Sequence, residues 1–464
     1  MPRKKKTSEE AEDSILAVDV PKLTKTPQLV KGMKDLLPAD QGYWEYIRET
    51  IKTITGHYGF ERLDTPILED LALYVHSVGR QTDIVEKEMF TFTDQGGSHL
   101  ALRPEFTAGF TRAYIEHGML NLPQPVKLYT VGPLYRHEKP QEGRLRQHHQ
   151  FNCEVFGEKG AAVDAQLILM AQRFYRLMGL QTMLHINSIG CAVCRETYKT
   201  TLIEYYKAKK NQLCEDCKRR YAKNPLRLLD CKNEECQPFK AEAPQIVDFL
   251  CEECKDHFVK LLEFIDEFEI PYQLNPHLVR GMDYYTRTVF EFYTTASSED
   301  GKMMAIGGGG RYDMLAETLG GRPTPACGFG IGLERVIIKM REAVLGGADL
   351  PVGPKKKPVD IFFAQLAEQA KRLAMVLYEG LIDEGLSVAE SFSKDSLKAQ
   401  LELANKLGVR FTLILGQQEL LDGTIIIRNM EGGEQEVIDS QKLVTVLQKK
   451  LGQASASTTR KEGE

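Results

Sequence analysis

The chain is 464 residues long, with 42% hydrophobic and 27% charged residues, which is the balance of a globular protein of two or three domains. Its net charge of −5 excludes a protein that binds nucleic acid through bulk positive charge, so RNA binding would need local patches. The sequence has neither the ~20-residue apolar run of a membrane span nor the apolar stretch of a secretory signal. We therefore expect a cytoplasmic protein without a membrane partner.

Residues 1–27 are charged and poor in aromatic residues, which predicts a disordered N-terminal tail. A large domain then extends from residue 28 to about 345. Short alternating apolar runs within it predict an antiparallel sheet, with strands at 60–66, 89–92, 100–103, 126–131, 151–156 and 289–293, and strand character again around Met304. Apolar residues at helical spacing predict the flanking helices, at 41–58, 106–116, 164–178 and about 332–344.

Residues 191–260 differ in composition, because they are rich in Lys, Glu and Cys and mostly helical in pattern. We predict that they form a helical insert. Its eight cysteines occur as four pairs, and a cytosolic chain favours thiols or metal ligands over disulfides. The spacing of the first four fits a structural zinc site, which would use Cys191, Cys194, Cys214 and Cys217. The later pairs fit more loosely because Cys231 and Cys236 are widely spaced, and reduced thiols on packed helices are the alternative.

The glycine- and proline-containing stretch 346–357 has the composition of a linker. Beyond it, strands alternate with helices from 358 to 452, which predicts a separate α/β unit with a mostly parallel sheet. Residues 453–464 are rich in Ser, Thr, Lys and Glu, and we expect a loose C-terminal tail.

Three segments of the large domain combine arginine with turn-forming or glycine-rich sequence. The first is a strand, polar loop and strand over 129–154 that carries Arg136; the second is 278–291, with Arg280 beside two tyrosines. The third joins four consecutive glycines at 307–310 to a glycine-rich strand that leads into a helix at Arg335. An arginine fork suits phosphate oxygens. No phosphate-binding P-loop sequence competes for this role, and the glycines at 328–332 do not fit the dinucleotide fingerprint.

Taken alone, the three segments are better explained as a solvated hairpin, a strand with half-buried tyrosines, and a flexible hairpin with a helix-surface arginine. Together they resemble the histidyl-tRNA synthetase family in its bacterial form. Residues 31–38 with the following helix resemble class II motif 1, the Arg136 hairpin resembles motif 2, and 328–335 resembles motif 3. Segments 278–291 and 308–313 resemble the two stretches peculiar to the histidine enzymes.

The resemblance implies an α+β catalytic domain, in which helices flank the antiparallel sheet of a class II synthetase. It also implies a helical insert and a C-terminal α/β anticodon-binding domain, whose usual helix resembles 396–408. The implied enzyme is a homodimer that activates L-histidine with ATP and Mg²⁺ and transfers histidine to tRNA(His).

By this resemblance, Arg136 and Arg280 are catalytic: Arg136 holds the α-phosphate and the substrate carboxylate, and Arg280 stabilises charge across the α-phosphate. Arg335 binds the γ-phosphate. The implied ATP-binding residues are Arg136, Glu138, Arg144 and Arg335. The implied histidine-binding residues are Glu105, Phe106, Thr107, Arg136, Gln150, Glu154, Arg280, Tyr284 and Tyr285. Phe106 departs from the family pattern, which has glycine there.

Three alternatives are weaker. A catalytically silent regulatory subunit of histidine biosynthesis usually lacks the histidine-specific segments and the C-terminal domain, and both are present here. Another class II synthetase, for threonine or proline, is disfavoured by the sequence Arg-Gly-Met-Asp-Tyr-Tyr at 280–285. A non-enzymatic RNA-binding module is disfavoured by the negative net charge and by the presence of all three motif arginines, Arg136, Arg280 and Arg335.

Overall fold

The computed structural model describes residues 26–295, 304–352, 359–394 and 396–452. The chain divides into two compact units, at the boundary between Gly353 and Pro354, which falls inside the predicted linker. Most of the predicted N-terminal tail, all of the C-terminal tail and residues 353–357 of the linker lie outside the described residues. Within the described parts of the chain, no helix combines the length and apolar character needed to cross a membrane.

Unit 1 contains eleven strands and ten α-helices among its described residues. The strands are β1 Glu61–Arg62, β2 Leu68–Asp70, β3 Thr91–Thr93, β4 His99–Leu102, β5 Val126–Tyr135, β6 Gln147–Phe156, β7 Thr182–Ser188, β8 Tyr272–Leu274, β9 Thr286–Thr294, β10 Ala305–Arg311 and β11 Ala326–Gly332. The helices are α1 Gln41–His57, α2 Leu71–Ser77, α3 Thr107–Glu116, α4 Ala161–Leu177, α5 Ala192–Lys207, α6 Glu215–Lys223, α7 Gln237–Ala241, α8 Glu252–Glu267, α9 Leu315–Thr318 and α10 Leu333–Leu345.

Eight strands form the main sheet, in the order β1-β5-β6-β11-β10-β9-β7-β8. The central pairs from β5 to β7 are antiparallel, as the sequence predicts, whereas the edge pairs β1–β5 and β7–β8 are parallel. The sheet is therefore mixed. Strands β7 and β8 were not predicted: β7 is buried on both faces and lacks the alternation that marks a half-exposed strand, and β8 has only three residues.

One face of this sheet packs on a large apolar core. Strand β6 shows the division, because Phe151, Cys153 and Val155 belong to the core shared with α1 and α4. Successive side chains of a strand point to opposite faces, so Gln150, Asn152 and Glu154 lie on the other face. The second face thus carries polar side chains above a well-packed sheet, and this is where the candidate site lies.

The insert is helical, as predicted, and comprises α5, α6, α7 and the start of α8. Its buried residues, which include Tyr198, Leu202, Tyr206 and Leu229, belong to the same apolar cluster as Tyr285 and Val289 of the catalytic domain. The insert therefore packs continuously with the segment that carries Arg280.

Unit 2 contains β12 Ile361–Gln365, β13 Val388–Glu390, β14 Phe411–Leu415, β15 Thr424–Asn429 and β16 Gln435–Asp439, with α11 Glu368–Asp383, α12 Leu397–Leu407, α13 Gln417–Asp422 and α14 Leu443–Leu451. Its sheet has the order β13-β12-β14-β15-β16. The prediction of a mostly parallel sheet is wrong, because β12 pairs in parallel with β13 and β14 but both pairings of β15 are antiparallel. Strand β16 is mostly exposed and polar, so no apolar pattern marks this hairpin in the sequence.

Candidate active site

The three arginines of the sequence motifs line one cleft above the polar face of the main sheet. Arg136, Arg280 and Arg335 line a cavity of about 180 Å³ that opens to solvent. The other predicted ATP-binding residues, Glu138 and Arg144, line the same cleft. They share it with predicted Gln150 and with Gly308, Gly330 and Glu334, which were not in the predicted site. Residues more than 190 positions apart in sequence thus converge on one space.

The β5–β6 hairpin positions Arg136 and Arg144. The Nε of Arg136 donates to the backbone oxygen of Pro104 at 2.8 Å, and its own N–H donates to Arg146 across the hairpin at 2.9 Å. Arg144 in the loop donates to Glu138 Oε2 at 3.1 Å. The guanidinium of Arg136 is therefore oriented through one nitrogen, while its two terminal nitrogens carry no hydrogen bond within the described chain.

Arg335 stands on the first turn of α10, directly after strand β11. Its Nε donates to the oxygen of Gly143 at 2.9 Å and its Nη1 donates to the oxygen of Ala305 at 2.6 Å. Burial and the positive charge of Arg144 lower the pKa of Arg335. The cleft therefore concentrates positive charge that an anionic ligand would neutralise.

Arg280 crosses the cleft from the loop before β9. Its Nη1 forms an ion pair with Glu291 Oε1 at 2.5 Å, and Glu291 also accepts a hydrogen bond from Tyr293. Burial opposes the charged form of Arg280, but Tyr285 and Glu291 outweigh it and raise the pKa of the guanidinium. The Nε of Arg280 is buried and has no hydrogen-bond partner within the described chain.

Glycine residues on β10 and β11 make room for these side chains. A Cβ on Gly308 would lie 2.8 Å from Nη1 of Arg280 and 2.5 Å from the backbone oxygen of Phe290. A Cβ on Gly330 would lie 2.3 Å from Nε2 of Gln150. The glycine run thus lets side chains and neighbouring backbone lie close to the sheet surface.

Several predicted histidine-binding residues meet in a buried polar network deeper along the same face. Glu154 is 1% exposed and accepts hydrogen bonds from Thr107 Oγ1 at 2.7 Å, Asn152 Nδ2 at 2.8 Å and Tyr312 Oη at 2.5 Å. Burial raises the pKa of Glu154 to about 8. The ring of Tyr284 lies 5.7 Å from that of Tyr312 and 4.8 Å from that of Tyr285.

Glu105 lies just before helix α3. Its two carboxylate oxygens accept the backbone N–H groups of Thr107 at 2.7 Å and Ala108 at 2.9 Å, and Tyr284 Oη donates to it at 3.3 Å. Burial raises the pKa of Glu105. The carboxylate thus caps the helix and joins it to the tyrosine network, which fixes both in place.

Phe106 does not project its ring into this network. Its side chain is 1% exposed and packs beneath the guanidinium of Arg103, 4.6 Å from the ring, and against Phe110. The departure from glycine at this position is therefore accommodated in the apolar cluster to which the ring of Phe106 belongs.

Besides Gly308, Gly330 and Glu334, the predicted set omitted four further residues of the site. Tyr312 binds Glu154, Asn152 shares its carboxylate, and Glu291 pairs with Arg280. His148 also lines the cleft, where burial and the charges of Arg136 and Arg335 lower its pKa to about 3. Strand alternation offered a signal for His148 and Asn152, because they lie on the same face of β6 as Gln150 and Glu154.

The predicted four-cysteine zinc set is wrong in its pairing. The structure brings the eight insert cysteines together as two separate groups, Cys191 with Cys194, Cys251 and Cys254, and Cys214 with Cys217, Cys231 and Cys236. In each group the four sulfur atoms lie within 4.8 Å of one another. Spacing along the chain could not reveal this, because the insert folds back so that its two ends meet.

Comparison with known proteins finds a matching family model for each of the two units. A family model described as Histidyl-tRNA synthetase matches residues 32–336, and one described as Anticodon binding domain matches residues 350–450. A histidine–tRNA ligase of Dehalococcoides mccartyi is 44% identical over 425 residues, which cover 91% of this chain and all of that protein. One from Natranaerobius thermophilus is 43% identical, covering 89% of this chain and 96% of its own.

Among solved structures, the apo S. aureus histidyl-tRNA synthetase has a TM-score of 0.72 and 33% sequence identity, over 91% of this chain and 99% of that one. These matches cover both units. The alternative of a regulatory subunit is not favoured, because the matching relatives carry the ligase name over nearly the full length.

Proposed function

The chain belongs to the histidyl-tRNA synthetase family and charges tRNA with histidine, and on this premise we propose which of its residues carry the reaction. The cleft binds ATP beside L-histidine. The histidine carboxylate attacks the α-phosphate in line, which forms histidyl-adenylate and releases pyrophosphate. The terminal adenosine hydroxyl of tRNA(His) then takes the histidyl group, and AMP leaves.

One observation carries this proposal: three arginines from distant motifs line a single cleft beside a buried polar network. Phosphoryl and adenylyl transfer depend mainly on positioning and on stabilising negative charge. Fixed guanidinium groups serve both purposes, because the protein holds them in place before the substrate arrives.

At the phosphate end, Arg136 binds the α-phosphate and the histidine carboxylate through its terminal nitrogens. Arg335 binds the γ-phosphate, and its hydrogen bonds to Gly143 and Ala305 hold it at the cleft wall. Arg144 and Glu138 orient each other beside the nucleotide. Arg280 is held by Glu291 and stabilises the charge that develops on the α-phosphate during attack.

At the amino-acid end, Glu154 and the tyrosine pair Tyr284 and Tyr285 recognise histidine, together with Gln150, which lines the cleft. A neutral Glu154 carries a proton that it can donate to an imidazole nitrogen, and an ionised one accepts a hydrogen bond from it. Buried partners on both ring nitrogens reject amino acids that cannot pair with them, because the polar groups would be left unsatisfied. Thr107 and Glu105 are assigned to the α-amino group.

Mg²⁺ is expected to accompany ATP, as it does generally in aminoacyl-tRNA synthetases. Carboxylate oxygens suit this ion, and Glu138 and Glu291 both line the cleft with partly exposed carboxylates. These two residues would hold it. The ion would supply positive charge across the outer phosphates.

The proposal extends to tRNA binding and to a homodimer. Unit 2 reads the anticodon of tRNA(His), since its residues match the anticodon-binding family model. The region of residues 31–38 with helix α1 forms much of a homodimer interface, and the enzyme works in the cytoplasm.

Amino-acid-dependent exchange of pyrophosphate into ATP tests the substrate, with each of the twenty amino acids in turn. We expect exchange with histidine alone. Exchange with another amino acid but none with histidine would overturn the assignment of the pocket. Charging of tRNA(His) transcripts and sedimentation of the full chain test the transfer step and the dimer separately.

A further inference from the structure

We propose that the insert holds two structural zinc ions, each bound by four cysteines, and that they fix the segment carrying Arg280. The stem cluster consists of Cys191, Cys194, Cys251 and Cys254. The insert cluster consists of Cys214, Cys217, Cys231 and Cys236. The zinc sites themselves are independent of the proposed function, whereas their effect on Arg280 rests on it.

The sulfur geometry fits a single tetrahedral ion in each cluster. Zinc–sulfur bonds of about 2.3 Å place tetrahedral sulfur ligands about 3.8 Å apart. Cys191 and Cys194 have their sulfur atoms 3.5 Å apart, and those of Cys214 and Cys231 are 3.8 Å apart. These distances exceed the ~2.05 Å of a disulfide, and the cysteines are free. Cysteines that bind different irons of an iron–sulfur cluster would spread further than four that share one ion.

The backbone around the clusters favours thiolates. The N–H of Cys251 donates to the sulfur of Cys194 at 3.1 Å, and the N–H of Cys214 donates to the sulfur of Cys236 at 3.4 Å. Cys191, Cys214 and Cys251 each stand directly before the first turn of a helix, where free backbone N–H groups stabilise negative charge. Binding of one ion replaces the protons of four thiols, which are released to solvent.

Each cluster secures one part of the insert. The stem cluster joins the start of α5 to the start of α8, which are the two points where the chain enters and leaves the insert. The insert cluster ties α6 to the turn at 225–230 and to Cys236. A module of about seventy residues with a small apolar core commonly depends on such metal sites for rigidity.

Side chains next to both clusters hold the loop 280–285. Arg195, which follows Cys194, donates to the oxygen of Tyr285 at 2.9 Å. From the insert-cluster side, Arg227 donates to the oxygen of Arg280 at 3.2 Å, and Asn224 donates to Asp283 at 2.7 Å. A cavity lies between part of the insert and this loop, and Arg195, Asn224 and Arg227 line it on the insert side, so the position of these three side chains depends on a rigid insert.

Metal analysis of the full chain, purified under reducing conditions without chelator, tests the sites directly. We expect two zinc ions per chain, and cobalt substitution should give the absorption of tetrahedral cobalt thiolates. Cys251→Ser with Cys254→Ser, and Cys231→Ser with Cys236→Ser, should each remove one ion. Cys153→Ala, which changes a buried cysteine outside both clusters, should keep both ions.

Fewer than two zinc ions in the unaltered chain would overturn the proposal, as would bound iron–sulfur absorption or fewer than ten titratable thiols after denaturation. The unaltered chain makes this test independent of whether the variants fold. Retention of both ions in either double variant would remove that cluster from the assignment.

The positioning role has its own readout. Arg227→Ala should keep both zinc ions yet lower kcat for histidine-dependent pyrophosphate exchange about tenfold, with a smaller change in the KM for ATP, and Arg227→Lys should restore part of kcat. Arg219→Ala, which changes an exposed arginine of the same helical region, is the matched control. Unchanged kcat in Arg227→Ala would overturn the link to Arg280 and leave the zinc sites standing.

Discussion

The two large sheets of this protein differ in what covers their faces. In unit 2, β12 and β14 are buried at every position: Ile361 and Leu413 pack into one apolar cluster, and Phe362 and Ile414 into a second. In unit 1, one face of the main sheet packs on a large apolar core, while the other face combines a second apolar cluster with Gln150, Glu154 and the glycines of β10 and β11. The first sheet has apolar packing on both faces, and the second leaves part of one face to a site.

This difference implies that equal-sized changes have unlike consequences in the two sheets. On the polar face of unit 1, a substitution removes or displaces a group that faces a ligand, so activity falls more than stability. In unit 2, a substitution creates a cavity, so stability falls while the chemistry of the cleft persists.

The largest effect is expected from Arg280→Ala. Loss of a fixed positive group at the reacting phosphate should lower histidine-dependent pyrophosphate exchange by about 10²–10³-fold, or about 3–4 kcal/mol, as removal of one oxyanion donor does. Circular dichroism should remain that of the folded chain. Arg62→Ala is the control, since this arginine is largely exposed. Near-normal exchange in Arg280→Ala would remove it from the mechanism.

Leu413→Ala should lower stability and leave the exchange activity intact. The side chain is fully buried in unit 2, so truncation should destabilise that unit by about 2–5 kcal/mol. Amide hydrogen exchange across β12 to β15 should accelerate, while histidine-dependent pyrophosphate exchange persists. Leu421→Ala, at a leucine that is 77% exposed, should change neither. Loss of pyrophosphate exchange in Leu413→Ala would contradict the contrast drawn between the two sheets.

Gly328→Ala places a methyl group on the polar face of the main sheet. Its Cβ would lie 1.6 Å from Oε2 of Glu154, so the carboxylate must move and the KM for histidine should rise. We also expect the free energy of unfolding to fall by about 1–3 kcal/mol, which is typical of overpacking. Gly380→Ala is the control, because that helical glycine has open space around its Cβ. An unchanged KM would show that Glu154 does not bind the substrate.

The smallest effect concerns pH. Burial raises the pKa of Glu154 from its ordinary 4.5 to about 8, so the folded chain binds a proton that the unfolded chain has lost. This contribution to stability is complete below pH 4.5 and is lost as pH rises towards 8, by about 1.4 kcal/mol per pH unit. Between pH 6 and pH 7, the free energy of unfolding measured in denaturant should decline less for Glu154→Gln than for the unaltered chain. Equal declines in the two proteins would show that Glu154 is ionised throughout.

Much of this protein follows from the sequence by itself. Helical periodicity placed α1, α3 and α4 close to their observed bounds, since residues three or four apart share one helix face whatever surrounds them. The motifs around Arg136, Arg280 and Arg335 likewise gave the family, because each motif is a short continuous stretch whose residue types reflect local chemistry.

Only the tertiary structure decided which distant parts meet. It assigned Cys251 and Cys254 to Cys191 and Cys194, added Tyr312 to the carboxylate of Glu154, and turned the ring of Phe106 into an apolar cluster. It also made the sheet of unit 2 mixed. The physical reason is that pairing and burial depend on which surfaces come together in space, and local residue patterns do not encode the partner of a strand, a thiol or a buried carboxylate.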